Sequence, residues 1–125
     1  HPHRRRFLED PGHKPEAREE MLQRAHADNF FQMCHAVEGF NGRATGVQNS
    51  FSHELGERLG AKMSAGSDAH RLEQVGTAAT YFEEKITGLA DLIKQIKFGK
   101  FKPVDLRNDY NHPSGNGHGL ANANS

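Results

Sequence analysis

The chain has 125 residues, room for one domain and little more. Sixteen basic residues balance sixteen acidic ones, so no overall field draws the protein to a polyanion or an anionic membrane. A hydrophobic content of 34% with a mean hydropathy of −0.82 predicts a modest core, and no apolar run is long enough to cross a bilayer. A single cysteine, Cys34, excludes an internal disulfide and points to a reducing, cytoplasmic setting, where we expect a small buried hydrophobe rather than a nucleophile. The first residue is His1 rather than methionine, which reads as a processed, trimmed or incomplete product.

In chain order, residues 1–12 are basic and then turn-like, from His1-Pro2 through Arg4-Arg5-Arg6 to Asp10-Pro11-Gly12, and are expected to form a loop. Pro15 suits a first helical position, and Ala17, Met21, Leu22 and Ala25 recur at helical spacing, which predicts an exposed helix over 15–28. His35 to Phe40 reads as a strand opening into a turn at Asn41-Gly42-Arg43. Val47, Phe51, Leu55 and Leu59 step by four, and Gly60 stands where a helix commonly ends with positive φ.

Lys62 to Ala65 predicts a buried strand and Gly66-Ser67-Asp68-Ala69-His70 a loop; Ala78 to Glu83 predicts another strand. Thr87 is expected to cap a helix whose stripe of Leu89, Leu92, Ile93 and Ile96 packs in the core and which Gly99 closes. Strands alternating with helices build parallel sheets, so the fold class is α/β. The domain should occupy 1–107, and the Asn-, Gly-, Ser- and His-rich segment 108–125 should be a disordered polar tail.

Nine histidines is a high count, and histidine is the commonest metal-ligating side chain. Asp68 and His70 stand two apart after a predicted strand, and in extended geometry two such side chains share a side. Their oxygen and nitrogen donors suit Zn, Mn or Fe; alternatively, Asp68 caps the next segment of a plain turn. His3, His13, His26, His35 and His53 lack partners at ligand spacing, His112 and His118 fall in the tail, and Glu38 is left without a role.

Gly66-Ser67-Asp68-Ala69-His70 followed by Glu73-Gln74-Val75-Gly76 resembles the closing motif of the PHP (polymerase and histidinol phosphatase) superfamily of metal-dependent phosphoesterases. His1-Pro2 with its nearby arginines is similar to a later His-Pro motif of that family, and Val37 to Arg43 to the strand and turn that follow it. The resemblance runs from His1 to about Lys102. It implies the C-terminal three to four βα units of a distorted barrel of seven, with up to three divalent transition metal ions (Zn, Mn or Fe) in the complete site. It also implies His1, Asp68 and His70 as metal ligands.

The activity implied is hydrolysis of phosphate esters, with Arg43 and Arg4 or Arg5 as phosphate contacts. For Arg4 to Arg6 a solvated basic run is the competing reading. The family's opening His-x-His motif and its metal-bridging acidic residue have no counterpart, so no catalytic residue is assigned and the chain alone is expected to be inactive. A phosphorylated substrate, nucleic acid not excluded, and another chain or the missing half-barrel are the expected partners. The alternative is a non-catalytic α/β piece that packs against such a partner.

Overall fold

The computed structural model describes residues 1–2 and 14–107; the expected contacts of Arg4 and Arg5 and the expected tail 108–125 lie outside that range. Helix α1 (Pro15–His26) starts with proline at its first position, as its sequence predicts. It ends two residues early, because the Asp28 carboxylate accepts from the Phe30 backbone N–H and starts a separate short helix, α2 (Asn29–Gln32). Strand β1 (Ala36–Asn41) buries Val37, Gly39 and Asn41.

Helix α3 (Gly46–Arg58) opens with a capping box, Thr45 accepting from Gln48 N–H while the Gln48 side chain accepts from Thr45 N–H. Gly60, at φ +59°, follows its end as expected. Phe51 and Leu55 are fully buried, whereas Val47, at the first turn, is exposed.

Strand β2 (Lys62–Gly66) pairs in parallel with β1, with Ala36 opposite Lys62 and Asn41 opposite Gly66. The register slips between Glu38 and Phe40, which makes Gly39 the extra residue of a bulge. Met63 packs across that bulge: a Cβ on Gly39 would stand 2.9 Å from its Sδ, and one on Gly56 of α3 would stand 2.7 Å from its Cγ. Two glycines thereby let strand and helix close on one flexible thioether. The core gathers Met21, Leu22, Ala25, Phe31, Val37, Phe51 and Leu55, all from the first half of the chain.

The second half corrects several expectations. A 3₁₀ turn (Leu72–Gln74) leads to β3 (Ala78–Phe82), then helix α4 (Leu89–Phe98) and a strand absent from the sequence reading, β4 (Phe101–Asp105). β4 pairs antiparallel with β3, so only β1 and β2 follow the expected parallel order. With two residues between α4 and β4, the chain turns straight back along β3 instead of crossing over a sheet. The two ladders meet through a side chain: the Thr80 hydroxyl accepts from Ala65 N–H at 2.9 Å and donates to Ala65 C=O at 2.9 Å. β2 is half-buried throughout rather than buried.

The α4 stripe is not core. Leu89 is 73% and Phe98 80% exposed, Ile93 is exposed as well, and Leu92 and Ile96 are only partly covered. Thr87 does not cap this helix; its N–H and hydroxyl donate to Asp91 instead, and Gly88 stands at the cap position with no side chain to offer. Gly99 closes it at φ −78°, where the need for glycine is space: a Cβ would stand 2.8 Å from Gln95 Cα.

An ion network ties α1 to α3. Arg18 pairs with Glu54, and Arg58 spans Glu19 at 2.6 and 2.8 Å and Glu54 at 2.6 Å. Hydrogen bonds from Arg58, and secondarily Gln23, pull the Glu19 carboxyl down from 4.5 to about 2. A carboxyl depressed by folding stabilises fully above its unfolded value and loses that contribution as pH falls toward its folded one. Thermal unfolding should therefore separate wild type from Arg58→Gln most at pH above 4.5, and the gap in Tm should shrink as pH approaches about 2. A gap of constant size across that window would contradict the pairing.

Candidate functional site at the C-terminal ends of β1 and β2

Parallel strands present their C-terminal ends at one edge, where the loops that follow them come together. Here the loop after β1 carries Arg43 and the loop after β2 carries Asp68 and His70. The loops are stitched by a hydrogen bond from Gly42 N–H to Gly66 C=O at 2.9 Å. A Cβ on Gly42 would stand 2.9 Å from Ser67 O, 3.0 Å from Ser67 Cα and 2.7 Å from Thr77 Oγ1, so glycine is what permits this approach.

The loop after β1 is held by amide chemistry. Buried Asn49 of α3 accepts from Asn41 N–H at 2.9 Å and donates to Asn41 C=O at 3.0 Å, in the manner of a neighbouring strand. Asn41 Oδ1 in turn accepts from Arg43 N–H at 3.0 Å and Ala44 N–H at 3.1 Å, while its Nδ2 donates to Glu38 at 3.3 Å. This Asx turn fixes where Arg43 leaves the backbone.

Asp68 and His70 do converge, though by a route other than extended alternation. Asp68 sits at φ +50°, a left-handed conformation that aspartate tolerates better than most residues. The turn brings His70 Nδ1 to 2.8 Å from the Asp68 main-chain oxygen and 3.9 Å from its Oδ1. With Nδ1–H donating to that carbonyl, Nε2 carries the lone pair, the arrangement that orients a metal-ligating imidazole. Arg43 Nη1 lies 3.1 Å from this Nε2, 2.9 Å from Nδ1 and 3.8 Å from Asp68 Oδ2. The turn is braced from behind by Gln74, whose Oε1 accepts from His70 N–H at 2.9 Å and from Arg71 N–H at 3.2 Å.

The structure thus brings three of the expected site residues together, Arg43, Asp68 and His70. His1 is held apart in its bonding, its ring lying 3.2 Å from Ser52 Oγ and 3.4 Å from Asn49 Oδ1. Among the described residues no group of three or more His, Cys, Asp and Glu side chains is placed to hold a metal.

Glu38, left without a role by the sequence, has its carboxylate over Gly66, where an added Cβ would stand 3.4 Å from Oε1. Sequence reasoning placed Asn41 in the turn but gave it no role, and missed Asn49 altogether. Their signal was an asparagine at the end of an apolar strand and another on the apolar side of a helix, two polar groups whose burial requires partners. Gly42→Ala should force the two loops apart at a cost of about 1–3 kcal/mol, read as a lowered denaturation midpoint with unchanged helix content. An unchanged midpoint would show that the loops do not need this approach.

Residues 46–101 match a family model described as PHP-associated. No curated protein and no solved structure matches the chain. The matched segment runs from the first residue of α3 to the first of β4 and includes Asp68 and His70, while His1, Glu38, Asn41 and Arg43 precede it. Over this segment the chain is similar to the PHP-associated family, which supports a C-terminal region of the PHP superfamily.

Proposed function

We propose that the chain supplies part of the active-site edge of a PHP-type, metal-dependent phosphoesterase. Asp68 and His70 are two ligands to a divalent transition metal (Zn, Mn or Fe), and Arg43 is a contact to the phosphate of the ester. The observation that carries the reading is the convergence of a carboxylate, an imidazole whose Nδ1 is committed to a backbone carbonyl and a guanidinium at the C-terminal ends of two parallel strands. The PHP-associated match over Asp68 and His70 supports the same reading.

A divalent cation held there would polarise a bound water and offset charge on the phosphoryl oxygens. The tasks of this chain are to orient the imidazole through the Asp68 carbonyl, to hold the carboxylate beside it and to offer a planar fork to phosphate. His1 is a further ligand in this reading, approaching from the Asn49–Ser52 side, with Arg4 or Arg5 after it as a second phosphate contact. The rest of the barrel and its ligands come from another chain or from preceding sequence, so these residues alone do not turn over substrate.

The reading of a non-catalytic α/β unit that packs on a partner is favoured by one observation: Leu72, Leu89, Ile93 and Phe98 are large apolar side chains left exposed. Metal uptake separates the two. Calorimetric titration with Zn²⁺ should give saturable binding that the double substitution Asp68→Ala, His70→Ala weakens by more than the roughly 10- to 100-fold that loss of a supporting partner costs. Circular dichroism should meanwhile show the fold intact. Equal uptake before and after the double substitution, or none in either chain, would leave the packing unit as the better account.

A further inference from the structure

We propose that Arg43 is a latch on the cation site: it closes over the Asp68–His70 pair while no cation is bound, and a cation entering there releases it to the phosphate. The inference rests on the phosphoesterase reading and adds to it an order of binding. Three features of the Arg43 environment lead to it.

First, the guanidinium lies against both groups that would hold a cation. With Nδ1 of His70 committed to the Asp68 carbonyl at 2.8 Å, the remaining lone pair is on Nε2, and Arg43 Nη1, 2.9 Å from Nδ1 and 3.1 Å from Nε2, lies against the ring beside that lone pair rather than on it. The same nitrogen lies 3.8 Å from Asp68 Oδ2, so one positive group answers both donors. A metal ion on that lone pair would bring a second positive charge close to the guanidinium, and like charges so close repel. Second, the backbone of Arg43 is fixed by the Asn41 side chain, whereas its side chain is about a third exposed and held only by His70 and Asp68 in the contacts described above. The latch can move without moving the loop. Third, the other half of the latch is a loop stitched to its own through Gly42, so its reach to Asp68 and His70 is set by the fold and not by chance side-chain placement.

Displacement gives the device its consequence. A guanidinium freed from Asp68 and His70 regains donors matched to phosphate, beside the cation that displaced it. Cation binding therefore raises affinity for phosphate through Arg43, and by linkage phosphate raises affinity for the cation by the same factor. Without phosphate, Arg43 opposes cation entry; with it, Arg43 assists.

The test titrates the chain with Mn²⁺ by calorimetry, with and without inorganic phosphate, for wild type, Arg43→Gln, Arg43→Lys and the double substitution at Asp68 and His70. Without phosphate, Arg43→Gln should bind Mn²⁺ about two- to fivefold tighter than wild type, in proportion to an exposed pair removed. Arg43→Lys, which keeps the charge but not the fork, should fall between them. With phosphate the order should invert, because Arg43→Gln lacks the group that couples the two ligands. Mn²⁺ affinity that depends on Asp68 and His70 yet is unchanged or weakened in phosphate-free Arg43→Gln overturns the latch and leaves the metal site standing. A wild-type chain that takes up no Mn²⁺ through those two residues overturns both.

Discussion

One side-chain amide sets the geometry on which the candidate site depends. Asn49, buried on α3, makes both main-chain bonds to Asn41 that a neighbouring strand would otherwise make. Were it lost, a buried N–H and a buried C=O would go unpaired, at about 1–3 kcal/mol each. The bond pair does more than satisfy the backbone. It pins the last residue of β1 to a helix already anchored in the core by Phe51 and Leu55, and the Asn41 side chain then fixes the start of the Arg43 loop. Rigidity of the core is passed to the site through two asparagines.

The two halves of the described chain are held by unequal means. Between α1, β1 and α3, apolar packing dominates: truncating a fully buried Phe51 or Leu55 would cost about 2–5 kcal/mol, against the fraction of a kcal/mol to about 1 typical of an exposed ion pair. The arginine–glutamate network across α1 and α3 thus trims and orients an interface that burial has already secured. Beyond β2, cohesion is lighter. Thr80 bridges to Ala65, Phe82 and Phe101 stack at 5.2 Å between ring centroids, and Arg107 lies over Phe40 at 4.7 Å. The site lies where the two halves adjoin, with Arg43 from the tightly packed half and Asp68 and His70 at the start of the looser one.

Much of this was legible where one residue type answers one physical need. The four-residue step of Phe51 and Leu55 with Gly60 marked α3, Pro15 marked the start of α1, and the close spacing of Asp68 and His70 marked the site loop. What was not legible turned on partners distant in sequence. β4 carries Pro103 and its charges, Lys102 and Asp105, stand three apart, so no alternation announced a strand; pairing with β3 makes it one. The α4 stripe has the periodicity of a core helix, and only the three-dimensional arrangement shows it uncovered. The positive φ of Asp68 was hidden because spacing alone assumed an extended chain, and the amide staple because an asparagine's partners cannot be read from its neighbours.

The central claim is that Asp68 and His70 hold one divalent cation between them. X-ray absorption on the chain loaded with a single equivalent of Zn²⁺ addresses it directly. The account predicts a scattering shell of nitrogen and oxygen at about 2.0–2.2 Å, with the outer-shell pattern of an imidazole that disappears in His70→Ala. A spectrum of hydrated zinc without imidazole scattering, or one that His70→Ala leaves unaltered, would contradict it.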